Sequence, residues 1–266
     1  MKSNTFFSFN RFYLLLRNDI LINYKKYLFT VLGAFIGGYL VLYLQMPKFE
    51  YEYPNFMANI YSQVFYMGLL GLGAVVGMAF PELENKIKTS NYLMLPVSAF
   101  ERMTVQFLIR VICAGILYLV VFWLDAHLAR FSALRIYQSH FKVYRIESFH
   151  FSNLFLGTKD LLSKLSLIFA IFSIGMYLFA IRIFFKRFAL VKTIISLVAL
   201  STIFWCIMVV FSHLFYPEII GFTVYFNSYY LTTDITNFLI WICSISFLSW
   251  VFFLPLGYFK LKEKQV

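Results

Sequence analysis

The 266 residues are 61% hydrophobic and only 13% charged, and 23 Lys and Arg face 12 Asp and Glu for a formal charge of +11. A water-soluble domain of this length has no interior large enough for so much apolar surface, whereas lipid demands no polar exterior. The basic residues fall in short clusters between apolar runs and match no nucleic-acid-binding motif, so the charge points to cytoplasmic helix ends and a membrane surface, with no nucleic-acid partner.

Residues 1–26 are polar and basic but patterned. Phe9, Phe12, Tyr13, Leu16 and Ile20 recur at helical spacing, while Arg11, Asn18 and Lys25 lie at seven-residue steps on another side. That pattern predicts an amphipathic helix lying in the membrane interface, its basic residues toward anionic headgroups. The first apolar run begins near Tyr27 and lacks a following small-x-small cleavage pattern, so it is expected to be an uncleaved span.

Six runs are long enough for the roughly 30 Å hydrocarbon core, which takes about 20 helical residues. They are residues 27–44, 60–80, 103–124, 161–181, 191–212 and 235–259. The runs are continuous rather than alternating, which predicts helices and excludes a transmembrane barrel. The fold class is therefore all-α: a polytopic membrane protein forming one transmembrane domain over residues 1–266, with six transmembrane helices. Of the 23 basic residues, 16 fall on the inner side if the N-terminus is cytoplasmic, so both ends are expected inside. The expected location is the plasma (inner) membrane, multi-pass. An outer loop is expected at 125–160, although it carries five basic residues.

Polar residues inside the runs are few. Arg110 lies about two turns into the third and is expected to snorkel inward or pair with a neighbour. The scarcity of carboxylates argues against a proton- or sodium-coupled transporter. Gly33/Gly37 and Gly73/Gly77 have the spacing of close helix contacts, with packing inside one subunit favoured. Ser196, Ser201, Ser244 and Ser249 are expected to bond back to helix carbonyls. Cys113, Cys206 and Cys243 lie in apolar runs at no metal spacing. His127, His140 and His150 share the outer loop, again without a ligand pattern, so no metal is expected.

The inner loop at 81–102 is the most informative segment. Pro81 suits the first turn of a helix, and Glu82 and Glu84 sit at the end that favours acids, with Lys86 and Lys88 beyond. Tyr92-Leu93-Met94-Leu95 is an apolar patch that Pro96 ends. Ser98 and Glu101 form a capping-box pattern that restarts a helix. An apolar patch on a structured connection suggests docking to a partner, or folding back onto the membrane surface.

The run Phe80-Pro81-Glu82-Leu83-x-Asn85-Lys86 followed by Tyr92-Leu93-Met94-Leu95-Pro96-x-Ser98-x-x-Glu101-Arg102 resembles the membrane subunits of the type-two ABC exporter family. The resemblance implies a homodimer or heterodimer of permease subunits, with a separate ABC ATPase on the cytoplasmic side. It makes Glu82, Leu83, Glu84, Lys86, Tyr92, Leu93, Met94, Leu95 and Pro96 the coupling residues. In much of that family the larger outer element lies between the last two spans, whereas here 214–234 is short and the loop after the third run is long.

No phosphate loop, nucleophile elbow or zinc helix is present in the sequence. The chain is expected to have no catalytic site and no cofactor, and ATP hydrolysis would belong to the partner. The expected function is the permease half of an ATP-driven exporter. The alternatives are a membrane scaffold or immunity protein using the same inner loop, and a lipid-modifying enzyme using the outer-loop histidines.

Overall fold

A computed structural model of the chain describes residues 7–46, 56–84, 89–90, 92, 94–137, 146–155, 161–185, 188–215 and 235–264. Among them the regular structure is helical, with no strand. Helix α1 spans Phe9–Gln45, α2 Phe56–Gly77, α3 Ala99–Phe107, α4 Ala114–Tyr137, α5 Leu161–Arg182, α6 Ala189–Phe215 and α7 Ile235–Glu263. A six-residue π-helical turn, Leu108–Cys113, carries α3 into α4. Four helical stretches are long and apolar enough to cross a bilayer: Phe9–Gln45, Phe56–Gly77, Ala99–Ile136 and Cys243–Glu263. The apolar stretches Ile168–Arg182 and Val191–Ile207 are shorter.

Three expected boundaries move. The interfacial helix of residues 1–26 was expected to be separate from the first span, yet α1 runs unbroken from Phe9 through both. No Gly or Pro lies between Phe9 and Leu32 to interrupt it. Its 37 residues measure about 55 Å at 1.5 Å each, well beyond a hydrocarbon core of roughly 30 Å. The loop expected to begin at Asp125 is helical as far as Tyr137. The second helix ends at Gly77, so Phe80 lies outside it.

The chain divides into two compact units, Met1–Val76 with Pro96–Lys159, and Gly77–Leu95 with Asp160–Val266. In the first unit α1 and the α3–α4 helix run parallel. Ser8 meets Glu101, Asp19 meets Gln106, Gly38 meets Asp125 and Tyr39 meets Ser132, the numbers rising together. Helix α2 runs antiparallel to α4, with Phe65 against Phe122 and Gly68 against Tyr118. Gly68 is required there, since a Cβ would collide with the Tyr118 ring. Ala126, Ala129 and Ala133 are wholly buried on one face of α4, within a core that includes Leu42, Tyr61, Phe65 and Phe149. Small side chains let helix backbones approach, which matters in lipid because apolar burial alone does not drive helices together there.

Residues 146–155 pack onto this core. Tyr61 donates to the Glu147 carbonyl at 3.2 Å, Tyr66 to the Leu154 carbonyl at 2.9 Å, and Arg130 Nε to the Ile146 carbonyl at 2.9 Å. Ile146, Phe149 and Leu154 are buried. The described part of the expected outer loop is thus a packed strap, held by backbone carbonyls that would otherwise need water.

In the second unit α5 and α7 are also parallel. Ser173 Oγ donates to the Ser246 carbonyl at 3.0 Å and accepts from Trp250 Nε1 at 2.9 Å. Further along, Tyr177 meets Phe253, Gly257 meets Ala180 and Ile183, and Lys264 Nζ donates to the Ile183 carbonyl. Trp250 packs against Phe169 and Phe172, with ring centroids 5.0 and 4.9 Å away. Helix α6 is tied to α5 where Tyr177 donates to Ser196 Oγ at 3.1 Å. Pro255 lies inside α7 without ending it. The hydroxyls of Ser196, Ser201 and Ser249 bond to Thr193, Leu197 and Ser246 carbonyls, as expected.

Replacing Ala129 by Leu forces volume into a seam with no space and is expected to cost about 1–3 kcal/mol. The same change in side-chain volume removed at exposed Leu128, as Leu128→Ala, is expected to be near neutral. Thermal unfolding of both variants in detergent checks the contrast.

Candidate functional site

The segment after α2 is ordered by its own apolar anchors. Phe80 is fully buried, packs on Phe179 at 5.5 Å between centroids, and adopts φ 54°. A bulky residue in that left-handed region costs of order 1–3 kcal/mol and persists only where packing enforces it. The strained turn redirects the chain from α2 into a 3₁₀ turn at Pro81–Glu84, where the Leu83 amide donates to the Phe80 carbonyl at 3.1 Å. Thr89 Oγ1 donates to the Glu82 carbonyl at 3.1 Å and closes the far side of the segment.

The expected coupling residues divide by environment. Leu83 and Tyr92 are buried anchors of the second unit, and Glu82 is half-buried. Met94 is 78% exposed, and Leu95 and Pro96 are exposed as well. The side chain of Glu84, and Lys86 and Leu93 altogether, lie outside the described residues. Within the second unit, Met94 and Leu95 are thus exposed while Phe80, Leu83 and Tyr92 are buried.

Pro96 to Arg102 belongs to the first unit. The expected capping box is present: the Glu101 amide donates to Ser98 Oγ at 3.1 Å, and the Ser98 amide donates to Glu101 Oε2 at 2.8 Å. Glu101 does more than cap. Its Oε1 accepts from the Ser8 amide at 2.6 Å and from Arg11 Nη2 at 3.1 Å. One wholly buried carboxylate thus caps α3 and ties it to the start of α1.

A second polar cluster follows along the same seam. Asp19 and Asn23 are buried on α1. Asp19 Oδ1 accepts from Asn23 Nδ2 at 3.3 Å and Gln106 Nε2 at 3.0 Å, while Oδ2 accepts from Tyr27 Oη at 2.6 Å. The Arg110 guanidinium lies over the Tyr27 ring, 5.0 Å from its centroid, inside the π-helical turn. The wide turn falls where a buried arginine must face the neighbouring helix, and such turns recur at functional positions. Arg110 therefore stacks on an aromatic neighbour.

These clusters correct two expectations. The face that α1 turns inward in its first half carries Leu15, Asp19 and Asn23, whereas Phe9, Tyr13 and Ile20 are exposed. Buried carboxylates are also present within long helices, Asp19 in α1 and Asp125 in α4, so their scarcity no longer argues against ion-linked transport. Asp19, Asn23 and Tyr27 stand four residues apart, the sequence signal for a polar stripe on one helix face. The glycine contacts differ as well: Gly33 and Gly37 face open space, whereas Gly38 and Gly68 make close approaches.

Among the described residues no group of three potential metal ligands occurs. His127 Nδ1 lies 2.9 Å from the Trp123 carbonyl, and His150 Nε2 lies 2.9 Å from Ser148 Oγ. His140 lies outside the described residues. Comparisons with protein-family models, curated proteins and solved structures find no match.

Replacing Asp19 by Ala removes the acceptor shared by Asn23, Gln106 and Tyr27, and is expected to destabilise the chain by about 2–4 kcal/mol. Asn23→Ala, which removes one donor of three, is expected to cost about 1 kcal/mol. Detergent unfolding curves of the two variants test this order.

Proposed function

We propose that this chain is the membrane-embedded permease subunit of an ATP-driven exporter, crossing the bilayer six times with both ends cytoplasmic. The observation that carries the reading is the segment at 80–96. It is anchored by Phe80, Leu83 and Tyr92 and leaves Met94 and Leu95 exposed. A connection that only joined two helices would have no use for a strained, buried anchor beneath an exposed apolar tip. An anchored tip is a surface on which another protein can push. The resemblance of 80–102 to exporter coupling segments names that protein as an ABC ATPase.

Helix direction supports six crossings. Two parallel helices of one chain that both cross a membrane need an odd number of crossings between them. In the first unit α1 and α4 are parallel, with α2 between them in sequence. In the second unit α5 and α7 are parallel, with α6 between. Three crossings in each unit return the chain to its starting side, in agreement with the distribution of Lys and Arg.

In this reading the ATPase dimer closes on the Met94–Pro96 tip, and its stroke passes through the Phe80–Phe179 contact into α5. The permease pairs with a second permease subunit, and the substrate moves along that pair.

Charging the tip tests the docking. Met94→Asp together with Leu95→Asp is expected to weaken co-purification with a partner ABC ATPase by tenfold or more, about 1.4 kcal/mol or above. The variant should fold as the parent does, since both side chains are exposed. Undiminished capture of the ATPase by a folded variant rejects the coupling role.

A further inference from the structure

The first unit buries two aspartates on the α1 seam, and their surroundings are opposite. Asp19 accepts hydrogen bonds from Asn23, Gln106 and Tyr27. That is the surround of an anion, since each carboxylate oxygen meets a donor. Asp125 is 1% exposed, and no donor among the described residues reaches its Oδ1. Its Oδ2 lies against the bare backbone of Gly38, where a Cβ would collide with it. Gly38 is thus the notch into which the Asp125 carboxyl fits.

The groups around Asp125 are committed elsewhere. Neither α1 beyond Lys26 nor α2 carries a charged residue. Tyr39 donates to Ser132 Oγ, Tyr118 to the Phe65 carbonyl, Tyr61 to the Glu147 carbonyl and Tyr66 to the Leu154 carbonyl. On α4 itself, Arg130 Nε bonds the Ile146 carbonyl, Arg135 lies over the Phe131 ring, and His127 Nδ1 is engaged with the Trp123 carbonyl. The strap brings Glu147, a like charge, and His150, which is engaged with Ser148. An anion buried without donors or a counter-charge is not sustained, and proteins neutralise it instead.

We propose that Asp125, seated on Gly38, is a proton-binding site inside the membrane-crossing part of the first unit. The neutral acid fits the notch. When it ionises, the O–H bond breaks, the proton passes to water and the carboxylate keeps the electron pair. The anion must then leave Gly38 to find water, which opens the contact between α1 and α4. The seam therefore has two arrangements selected by one proton. Ionisable residues within membrane helices typically mark such pathways.

The test is infrared difference spectroscopy of the full chain in lipid nanodiscs, titrated from neutral to alkaline pH. The wild type is expected to show the carbonyl stretch of a protonated carboxylic acid at neutral pH, lost on alkalinisation. Asp125→Asn, a neutral side chain of the same size, should lack that band, and Asp19→Asn should keep it. Gly38→Ala retains Asp125 but fills the notch, and should shift or abolish the band even if Asp125→Asn does not fold. Carboxylate absorption alone in the neutral wild type overturns the proposal. So does a band that survives Asp125→Asn, or one that Gly38→Ala leaves unmoved.

Discussion

The parallel seam between α1 and the α3–α4 helix organises the first unit, and the carboxylates of Glu101 and Asp19 fix its register. In lipid, two apolar helices gain little by leaving the hydrocarbon for each other, so their alignment needs directional contacts. Glu101 supplies one by accepting from Ser8 and Arg11 on α1 while capping its own helix. Asp19 supplies the next by reaching across to Gln106. A slip of one residue would swing these groups by about 100° around the helix and strand buried polar atoms. The register so set brings Gly38 opposite Asp125 and Tyr39 opposite Ser132, far along the same pair.

The second unit solves the same problem with fewer charges. Ser173 bridges the Ser246 carbonyl and the Trp250 indole, and aromatic faces around Trp250 fill the space beside that bridge. Gly257 lets α7 approach Ala180 closely, and Lys264 closes the end of α5 by donating to the Ile183 carbonyl. Neutral hydroxyl and indole donors suit a low-dielectric setting, because a satisfied neutral bond costs less desolvation than a satisfied charge. The polar contacts of the first unit thus concentrate ionisable groups on one seam, where a change of charge has a mechanical consequence.

Much of the helical layout was legible in the sequence because it rests on run length and composition: each of the six apolar runs coincides with a helix, though the second overruns α2, which stops at Gly77. The capping box at Ser98 and Glu101 was legible too, since it needs only two residues at fixed spacing. What escaped was which face of a helix meets protein and which meets lipid. On α1 the apolar stripe Phe9–Tyr13–Ile20 has the more conspicuous periodicity, yet the protein buries the polar stripe of Asp19 and Asn23. In water the apolar face turns inward, and in a bilayer that preference disappears, so polar complementarity with α3 decides instead. Helix ends escaped for a related reason. Asp125 reads as the start of a polar loop, but a carboxyl accommodated by a glycine notch need not end a helix. The glycine contacts at Gly38 and Gly68 depend on which partner side chain lies opposite, Asp125 or Tyr118, and spacing along one helix carries no such information.

The strained turn at Phe80 bears on how a push at the surface would travel. A positive φ at a fully buried phenylalanine is a conformation held only by its surroundings. It follows a helix that stops at Gly77 and precedes a 3₁₀ turn closed onto the same residue's carbonyl. In the proposed reading a load at Met94 and Leu95 would act on a unit in which Phe80 is packed against Phe179. Close-packed interiors respond to such loads by switching between discrete packings rather than by yielding gradually. Phe179 lies on α5, whose contacts with α7 include Phe169, Phe172, Ser173, Tyr177 and Ala180. A displacement of Phe80 would thus reach α5 between Tyr177 and Ala180, where rotation of the helix would act on both contacts together. The described anchors of the segment, Phe80, Leu83 and Tyr92, are apolar and buried.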